Sequence, residues 1–126
     1  MYSARFFFDA GSGTVLWSAS PEAEEIWGYA IDLAGLPVSP ALRAELAALI
    51  AAYDTSVNWA YPPDPGPWRE PQCRRFNRAV RQALGCLRAE LGSAWDIRDE
   101  YDDLHEDPDL DRYLEDTAGF DRNERL

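Results

Sequence analysis

The 126-residue sequence contains no lysine, one histidine and two cysteines, and all 12 of its basic residues are arginine. A phosphate-binding loop needs a lysine after its glycines, and neither that pattern nor a dinucleotide-binding glycine pattern is present. Two cysteines and one histidine are too few for the four ligands of a structural zinc site. The sequence therefore lacks the signatures of P-loop proteins, of dinucleotide-binding proteins and of zinc proteins.

The two cysteines predict reduced thiols rather than a disulfide. Cys73 and Cys86 lie 13 residues apart on one predicted helix, a separation of about 20 Å at about 1.5 Å per residue. A disulfide needs Cα atoms within roughly 7 Å, so we expect both thiols to be packed in the core, as is typical of cytoplasmic proteins. The longest apolar run, 46–53, is too short to cross a bilayer, and the aromatic run 6–8 is too short for a signal peptide.

Negative charge is abundant and uneven. The formal net charge is −11. Residues 96–126 hold 13 acidic and 4 basic side chains, a net of −9, whereas residues 1–95 hold 10 acidic and 8 basic, a net of −2. This excess argues against direct binding of nucleic-acid phosphates or anionic membranes, and it favours a basic protein partner.

Turn and capping signals organise the first half of the chain. Aromatic and β-branched residues on both sides of a Gly-Ser-Gly turn predict a β-hairpin in RFFFDAGSGTVLWS, residues 5–18. The Ser-Pro pairs at 20–21 and 39–40 each place an N-cap before a proline at the first helical position. They predict a short helix that ends near Gly28 and a longer one over about 40–54.

A third predicted helix, over about residues 71–91, has the clearest pattern. Its apolar face holds Cys73, Phe76, Val80, Leu84, Leu87 and Leu91, and its arginine face holds Arg74, Arg78, Arg81 and Arg88. Alternating apolar residues then predict a late strand near 94–102. Asp107 followed by Pro108 predicts the start of a short last helix.

These elements predict an α+β fold in a single globular domain over residues 1–118. We expect a small antiparallel sheet, formed by the N-terminal hairpin and the late strand, with three to four helices packed on one face. The remaining residues, 119–126, have the composition of a frayed tail.

Metal-binding and catalytic patterns are incomplete. Asp107, Asp109 and Asp111 have the spacing of a calcium loop, but Arg112 replaces the glycine that should follow and Ala118 the glutamate at the twelfth position. Acids at a helix start explain these residues better. We therefore predict no catalytic residue, no cofactor and no metal ligand.

A loop rich in proline and aromatic residues is the first candidate binding feature. Trp59, Tyr61 and Trp68 lie among five prolines between residues 62 and 71. Proline lowers the entropic cost of holding these rings, and Trp and Tyr dominate binding hot spots. Tyr61 and Trp68 are the predicted anchors, although the loop could instead cover the core, with Trp59 and Trp68 buried in it.

An acidic stretch is the second feature. Its predicted partner-binding residues are Asp99, Glu100, Asp102, Asp103, Glu106 and Asp107. Some of them could pair with the arginines of the third helix, but the 13 carboxylates of residues 96–126 outnumber those arginines. The surplus predicts electrostatic steering of a cationic partner.

Several stretches carry a family resemblance: FFFDAGSGTVLWS, LPVSPALRAEL with LIAAYDTSVNW, and LRAELG followed by WDIRDEYD. Over roughly residues 5–103 they resemble small, acidic, lysine-poor actinobacterial proteins of unassigned activity. In overall design the chain is also similar to the cytoplasmic immunity proteins of bacterial toxin systems, which are compact, usually acidic and non-catalytic.

Those immunity proteins block a toxin by surface complementarity. The resemblance, taken with the charge, implies a non-catalytic cytoplasmic protein that captures a basic protein partner as an immunity-type inhibitor. The alternatives are a DNA-mimicking inhibitor and a small metal-dependent hydrolase that uses the C-terminal carboxylates.

Overall fold

A three-stranded sheet and four α-helices form within residues 1–120, the part of the chain that the computed structural model describes. In chain order they are β1 (Tyr2–Phe6), β2 (Leu16–Ser18), α1 (Pro21–Trp27), α2 (Pro40–Asp54), α3 (Glu70–Leu91), β3 (Trp95–Asp99) and α4 (Leu110–Glu115). Short 3₁₀ turns lie at Leu33–Gly35 and Gly92–Ala94. The predicted α+β class is confirmed.

The sheet is mixed, which corrects the expectation of an antiparallel one. Its strand order is β2-β1-β3. β1 runs antiparallel to β2, with Ala4 opposite Ser18, and parallel to β3, with Tyr2 opposite Trp95. Three helices lie between β1 and β3 in the chain, so the connection is long enough to return β3 in the parallel sense.

The predicted starts of α1 and α2 are confirmed in detail. The Ser20 hydroxyl accepts a hydrogen bond from the Ala23 N–H, the Ser39 hydroxyl accepts one from the Leu42 N–H, and a proline follows each cap. Gly28, with φ of 77°, ends α1 in a backbone conformation that favours glycine.

The last helix begins later than the sequence predicts. Asp107 and Pro108 belong to a turn, in which the Asp107 carboxylate accepts from the Asp109 N–H and the Asp107 carbonyl accepts from the Leu110 N–H. The capping side chain therefore stabilises this turn, and α4 starts only at Leu110.

The core lies between the sheet and the apolar faces of α2 and α3. Ala4, Phe6 and Ile97 pack from the sheet into the same buried cluster as α2 and α3. Cys73 is buried there, but Cys86 is exposed on the opposite side of α3, so the expectation of two core thiols is wrong for Cys86. No helix within the described residues is long and apolar enough to cross a membrane.

The chain end carries a further packed ring. Phe120 is buried and contacts Tyr113, with ring centroids 5.3 Å apart. Of the predicted frayed tail, residues 121–126 lie outside the described part of the chain.

The outer edge of β2 is paired with residues 29–31, whereas one side chain contacts the outer edge of β3. Beside β2, the Ser18 N–H donates to the Tyr29 carbonyl and the Ile31 N–H donates to the Leu16 carbonyl. Beside β3, the Arg88 guanidinium donates to the Ile97 carbonyl at 2.6 Å. A partner strand beside β2 would have to displace residues 29–31, and one beside β3 would have to displace the Arg88 side chain.

Candidate partner-binding surface

Two segments that are irregular apart from Asp99, the last residue of β3, flank α3. The aromatic-proline loop, residues 55–69, connects α2 to α3, and the acidic segment, residues 99–109, runs from the last residue of β3 to α4. They meet across a cleft of about 430 Å³, which brings together three of the predicted binding residues, Trp68, Glu106 and Asp107. Glu100, Asp102 and Asp103 line a separate cleft.

Asn77 fixes the middle of the acidic segment to α3. Its side-chain oxygen accepts from the Leu104 N–H at 2.8 Å and from the Tyr101 hydroxyl, and its NH₂ group donates to the Leu104 carbonyl at 2.9 Å. Asn77 is itself buried. Sequence reasoning missed this residue, although a polar side chain at the helical spacing of the apolar face was the available signal.

Tyr101 anchors the acidic segment in the core. Its ring packs against Phe8 and Phe76, with centroids 5.6 and 6.3 Å away. Burial raises the pKa of the Tyr101 hydroxyl well above its ordinary value. The hydroxyl therefore stays protonated and donates to Asn77.

Arg81 binds two of the predicted carboxylates at once. Its guanidinium contacts Asp99 through one nitrogen, and through the other it contacts Asp103 at 3.0 Å and the Tyr101 carbonyl at 3.3 Å. One arginine thus connects the end of β3 to the middle of the acidic segment, and it leaves this group of charges net negative.

Glu100 pairs with the central strand. The Arg5 guanidinium donates to both carboxylate oxygens of Glu100 at 2.8 to 3.0 Å. These hydrogen bonds lower the pKa of Glu100. Both side chains are more than one-third exposed, so the pair orients Glu100 more than it stabilises the fold.

Glu70 and Glu106 exchange hydrogen bonds at the start of α3. The Glu70 N–H donates to the Glu106 carboxylate at 3.1 Å, and the Glu106 N–H donates to the Glu70 carboxylate at 2.9 Å. The Glu106 N–H, followed by His105 and Arg74, lowers the pKa of Glu70. Arg69 also approaches Glu106 at 3.7 Å.

The six predicted carboxylates therefore differ in their surroundings. Asp99, Glu100, Asp103 and Glu106 contact arginines, whereas Asp107 holds a turn. Asp102 is exposed and makes no ion pair with any residue that the structure describes.

Pairing does not neutralise this surface. Residues 99–111 carry eight carboxylates. Within residues 1–120, ion pairs bring four arginines to them: Arg5, Arg69, Arg81 and Arg112. The predicted surplus of negative charge therefore persists in the folded chain, on a surface whose geometry is fixed.

The three large aromatic rings of the aromatic-proline loop differ in burial. Trp68 is only 7% exposed, packs on Phe76 with centroids 5.1 Å apart, and donates its indole N–H to the Thr55 hydroxyl. The predicted anchor Trp68 is therefore part of the core. Tyr61 is 44% exposed and Trp59 is 58% exposed, so of the two tryptophans only Trp68 covers the core.

Trp59 has a defined position despite its exposure. Its indole N–H donates to the Asp54 carbonyl at 2.6 Å. A Cβ on Gly11, in the hairpin loop, would lie 3.5 Å from the Trp59 ring, so the ring rests on that glycine. The exposed Trp59 ring is therefore held between the end of α2 and the hairpin loop.

Close backbone packing holds the rest of the loop. A Cβ on Gly66 would lie 2.1 Å from the Ser56 carbonyl oxygen, so only glycine fits this position. The Asn58 side chain donates to the Pro65 carbonyl at 3.1 Å and accepts from the Ala60 N–H at 3.1 Å. The loop therefore presents Trp59 and Tyr61 on a rigid support.

The arginine face of α3 divides into two parts. Arg81 and Arg88 contact β3 and the acidic segment, as described above. Arg74, Arg75 and Arg78 are exposed, and Arg75 and Arg78 form no ion pair with the described residues. A small basic patch thus adjoins the acidic surface, and sequence reasoning did not single out Arg75.

Within the described part of the chain, His105 and Cys73 lie in surroundings that do not favour catalysis. His105 is largely exposed, and its Nδ1 lies 3.3 Å from a Glu70 oxygen. Burial, with Glu70 and Glu106, raises the pKa of the Cys73 thiol, which disfavours a nucleophilic thiolate. Within residues 1–120, no three Cys, His, Asp or Glu side chains are placed to hold a metal ion.

The comparisons with known proteins identify the class as that of immunity proteins. Residues 8–102 match the model of a family described as Serratia CdiI immunity protein-like. The match spans β2, α1 to α3 and β3, and the chain belongs to this family. No curated protein matches it. The predicted immunity-type design is confirmed, whereas the resemblance to actinobacterial proteins stays a prediction.

Proposed function

We propose that the protein is a non-catalytic, cytoplasmic immunity protein that inhibits a basic toxin by binding to it. The family match over residues 8–102 carries this proposal. The excess of carboxylates in the acidic segment, which ion pairs hold in place, supports the basic character of the partner. The paired outer edge of β2 disfavours a partner that adds a strand there.

In this proposal, charged residues and aromatic residues contribute to binding in different ways. Asp102 and the net charge around Arg81 attract the toxin at long range, which raises the association rate. Tyr61 and Trp59 then supply exposed rings on a support that is ordered before binding, which lowers the entropic cost of association. Trp68 acts only by holding the loop.

Affinity capture from the native cell, followed by mass spectrometry, tests the proposal. We expect a basic toxin to be captured, and co-expression of the protein to restore growth to cells that produce this toxin. Failure to protect those cells would contradict immunity. Competition between DNA and the protein for the captured partner would instead identify a DNA mimic.

Association kinetics with the captured toxin test the steering mechanism. Asp102→Arg should slow association and weaken its dependence on salt, since it reverses an exposed charge of the acidic segment. Glu45→Arg, an exposed charge reversal on α2, is the matched control and should change the rate less. Equal effects from the two reversals would contradict steering by the acidic segment.

Dissociation kinetics test whether the rings of Tyr61 and Trp59 contact the toxin. Tyr61→Ala or Trp59→Ala should speed dissociation by an amount equivalent to about 2 kcal/mol or more, the typical effect of removing a binding hot spot. Unchanged dissociation for both variants would remove the aromatic-proline loop from the interface.

A further inference from the structure

The open cleft between the two segments has the volume of a binding pocket. Its volume of about 430 Å³ falls within the range of roughly 300–1,000 Å³ that is typical of ligand sites. The aromatic-proline loop forms one wall with Val57, Pro62 and Pro63, and residues 104–108 form the other. Tyr53 and Cys73 lie between the walls.

Carboxylates outnumber cationic groups at the cleft: His105 is among the lining residues, and Arg69, which is not, approaches Glu106 at 3.7 Å. Asp64, Glu106 and Asp107 contribute carboxylates, and none of the described residues that line the cleft is Lys or Arg. Asp64 is only 6% exposed, so its carboxylate lies deep in the wall. The raised pKa of the buried Cys73 thiol, to which Glu70 and Glu106 contribute after burial itself, agrees with a negative potential there.

Both walls are fixed before any partner binds. Leu104 is held by Asn77, and Glu106 by its exchange of hydrogen bonds with Glu70. Gly66 and Asn58 hold the loop wall. A pocket with pre-positioned charge loses little entropy when it is filled.

Apolar walls with carboxylates favour an occupant that has a long apolar stem and a cationic end. An arginine side chain fits this description best, because its guanidinium is planar and weakly hydrated and donates hydrogen bonds to two carboxylates at once. A lysine has a similar stem, but its ammonium is compact and costs more to remove from water.

We propose that this cleft receives an arginine side chain of the toxin, with Asp107 and Glu106 as the charged acceptors. The inference rests on the proposed function and names the part of the partner that is recognised. Residues 104–108 lie beyond the matched residues 8–102, so the proposal depends on this chain's own acidic wall.

A titration followed by NMR tests the pocket without the toxin. The probes are Nα-acetyl-arginine methylamide and its citrulline analogue, which has the same shape but a neutral urea group. We expect the arginine probe to shift the amide signals of Val57, Asn58 and residues 104–107, and the citrulline probe to bind at least fivefold more weakly. Equal binding, or shifts spread over the whole acidic segment, would overturn the proposal.

Substitution of Asp107 by its neutral isostere tests whether the charge of this residue, and not its role in the turn, is needed for arginine binding. Asp107→Asn removes the charge but keeps an oxygen to accept from the Asp109 N–H, and it should weaken arginine binding at least fivefold. Asp116→Asn is the matched control, because the Asp116 carboxylate likewise accepts from a nearby backbone N–H, that of Gly119, outside the cleft. Equal affinities for the two variants would contradict a role for Asp107.

The captured toxin then distinguishes the two proposals. Val57→Trp should fill the cleft, and both it and Asp107→Asn should weaken toxin binding at least tenfold, whereas Asp116→Asn should not. If all variants bind the toxin like the wild type, the cleft proposal is wrong and the immunity proposal stands. If the wild type binds no toxin, both are wrong.

Discussion

The aromatic-proline loop and the acidic segment both lie beside α3 and are irregular apart from Asp99, yet different forces hold them. In the loop, Trp68 is buried in the core and Gly66 lets two backbone stretches touch. In the acidic segment, Asn77 and Arg81 hold the chain through hydrogen bonds and ion pairs.

Because of this difference, the two walls of the cleft should respond differently to salt and to pH. Burial of a large ring withstands salt and changes of pH, whereas contacts between exposed charges weaken with both. Acid or high salt should therefore weaken the ion pairs of the acidic segment, while Tyr101 and Asn77 keep its middle attached to the core and Trp68 keeps the loop in place. Four substitutions test this contrast, in order of decreasing expected effect.

Trp68→Ala should cause the largest loss, because it empties part of the core beside Phe76. We expect the free energy of unfolding to fall by about 3–5 kcal/mol. Trp59→Ala, on the same loop, removes an exposed ring and one hydrogen bond and should cost about 1 kcal/mol. Urea denaturation measures both, and similar losses would contradict the burial of Trp68.

Asn77→Ala should weaken the attachment of the acidic segment to α3. It leaves the buried Tyr101 hydroxyl and the backbone of Leu104 without their partner, at a cost of about 1–3 kcal/mol. Hydrogen exchange should speed up at residues 101–104 more than at 56–66. Uniform acceleration over both segments would show that they are held as one unit.

Arg81→Gln should have a smaller effect that depends on salt. The variant loses ion pairs to Asp99 and Asp103, and because these side chains are partly exposed we expect a loss of about 1 kcal/mol or less. The difference from the wild type should shrink as NaCl is added. Arg78→Gln, an exposed control on the same helix, should change stability less, and equal changes would argue against the Arg81 contacts.

Glu70→Gln should alter the response to acid. The pKa of Glu70 is lower in the folded chain than its ordinary value of 4.5, mainly because the Glu106 N–H donates to it. Its contribution to stability is therefore complete above about pH 4.5 and is lost as the pH falls through the lower folded pKa.

The variant should accordingly lose less stability than the wild type on acidification. Urea denaturation at pH 7 and between pH 4.5 and 3 measures the difference. Glu45→Gln, an exposed control on α2, should follow the wild type. A wild-type acid response in Glu70→Gln would mean that this carboxylate is not linked to stability.

Local signals in the sequence predicted most of the secondary structure. Ser20 and Ser39 have the side chain and the following proline of a helix start, and both contacts form as expected. The apolar spacing of α3 likewise gave its extent to within one residue, Glu70 in place of residue 71. Such signals are local because neighbouring residues on a helix determine them.

Contacts between distant segments could not be predicted in this way. Trp59 and Trp68 have the same loop composition around them, and only the position of α3 and the hairpin loop buries one ring and exposes the other. Similarly, no spacing rule assigns Glu100 to Arg5, which lies 95 positions away. Pairing of this kind depends on the parallel alignment of β1 with β3.

That parallel alignment also constrains the order of folding. β1 is the central strand, and its partner residues from Trp95 to Asp99 are made only after the three helices between them. During synthesis, β1 cannot pair with β3 until the three helices between them have been made. Pairing between strands so far apart in the sequence is slow. The acidic segment follows β3 in the chain, so the proposed binding surface is synthesised only after both strands that support it.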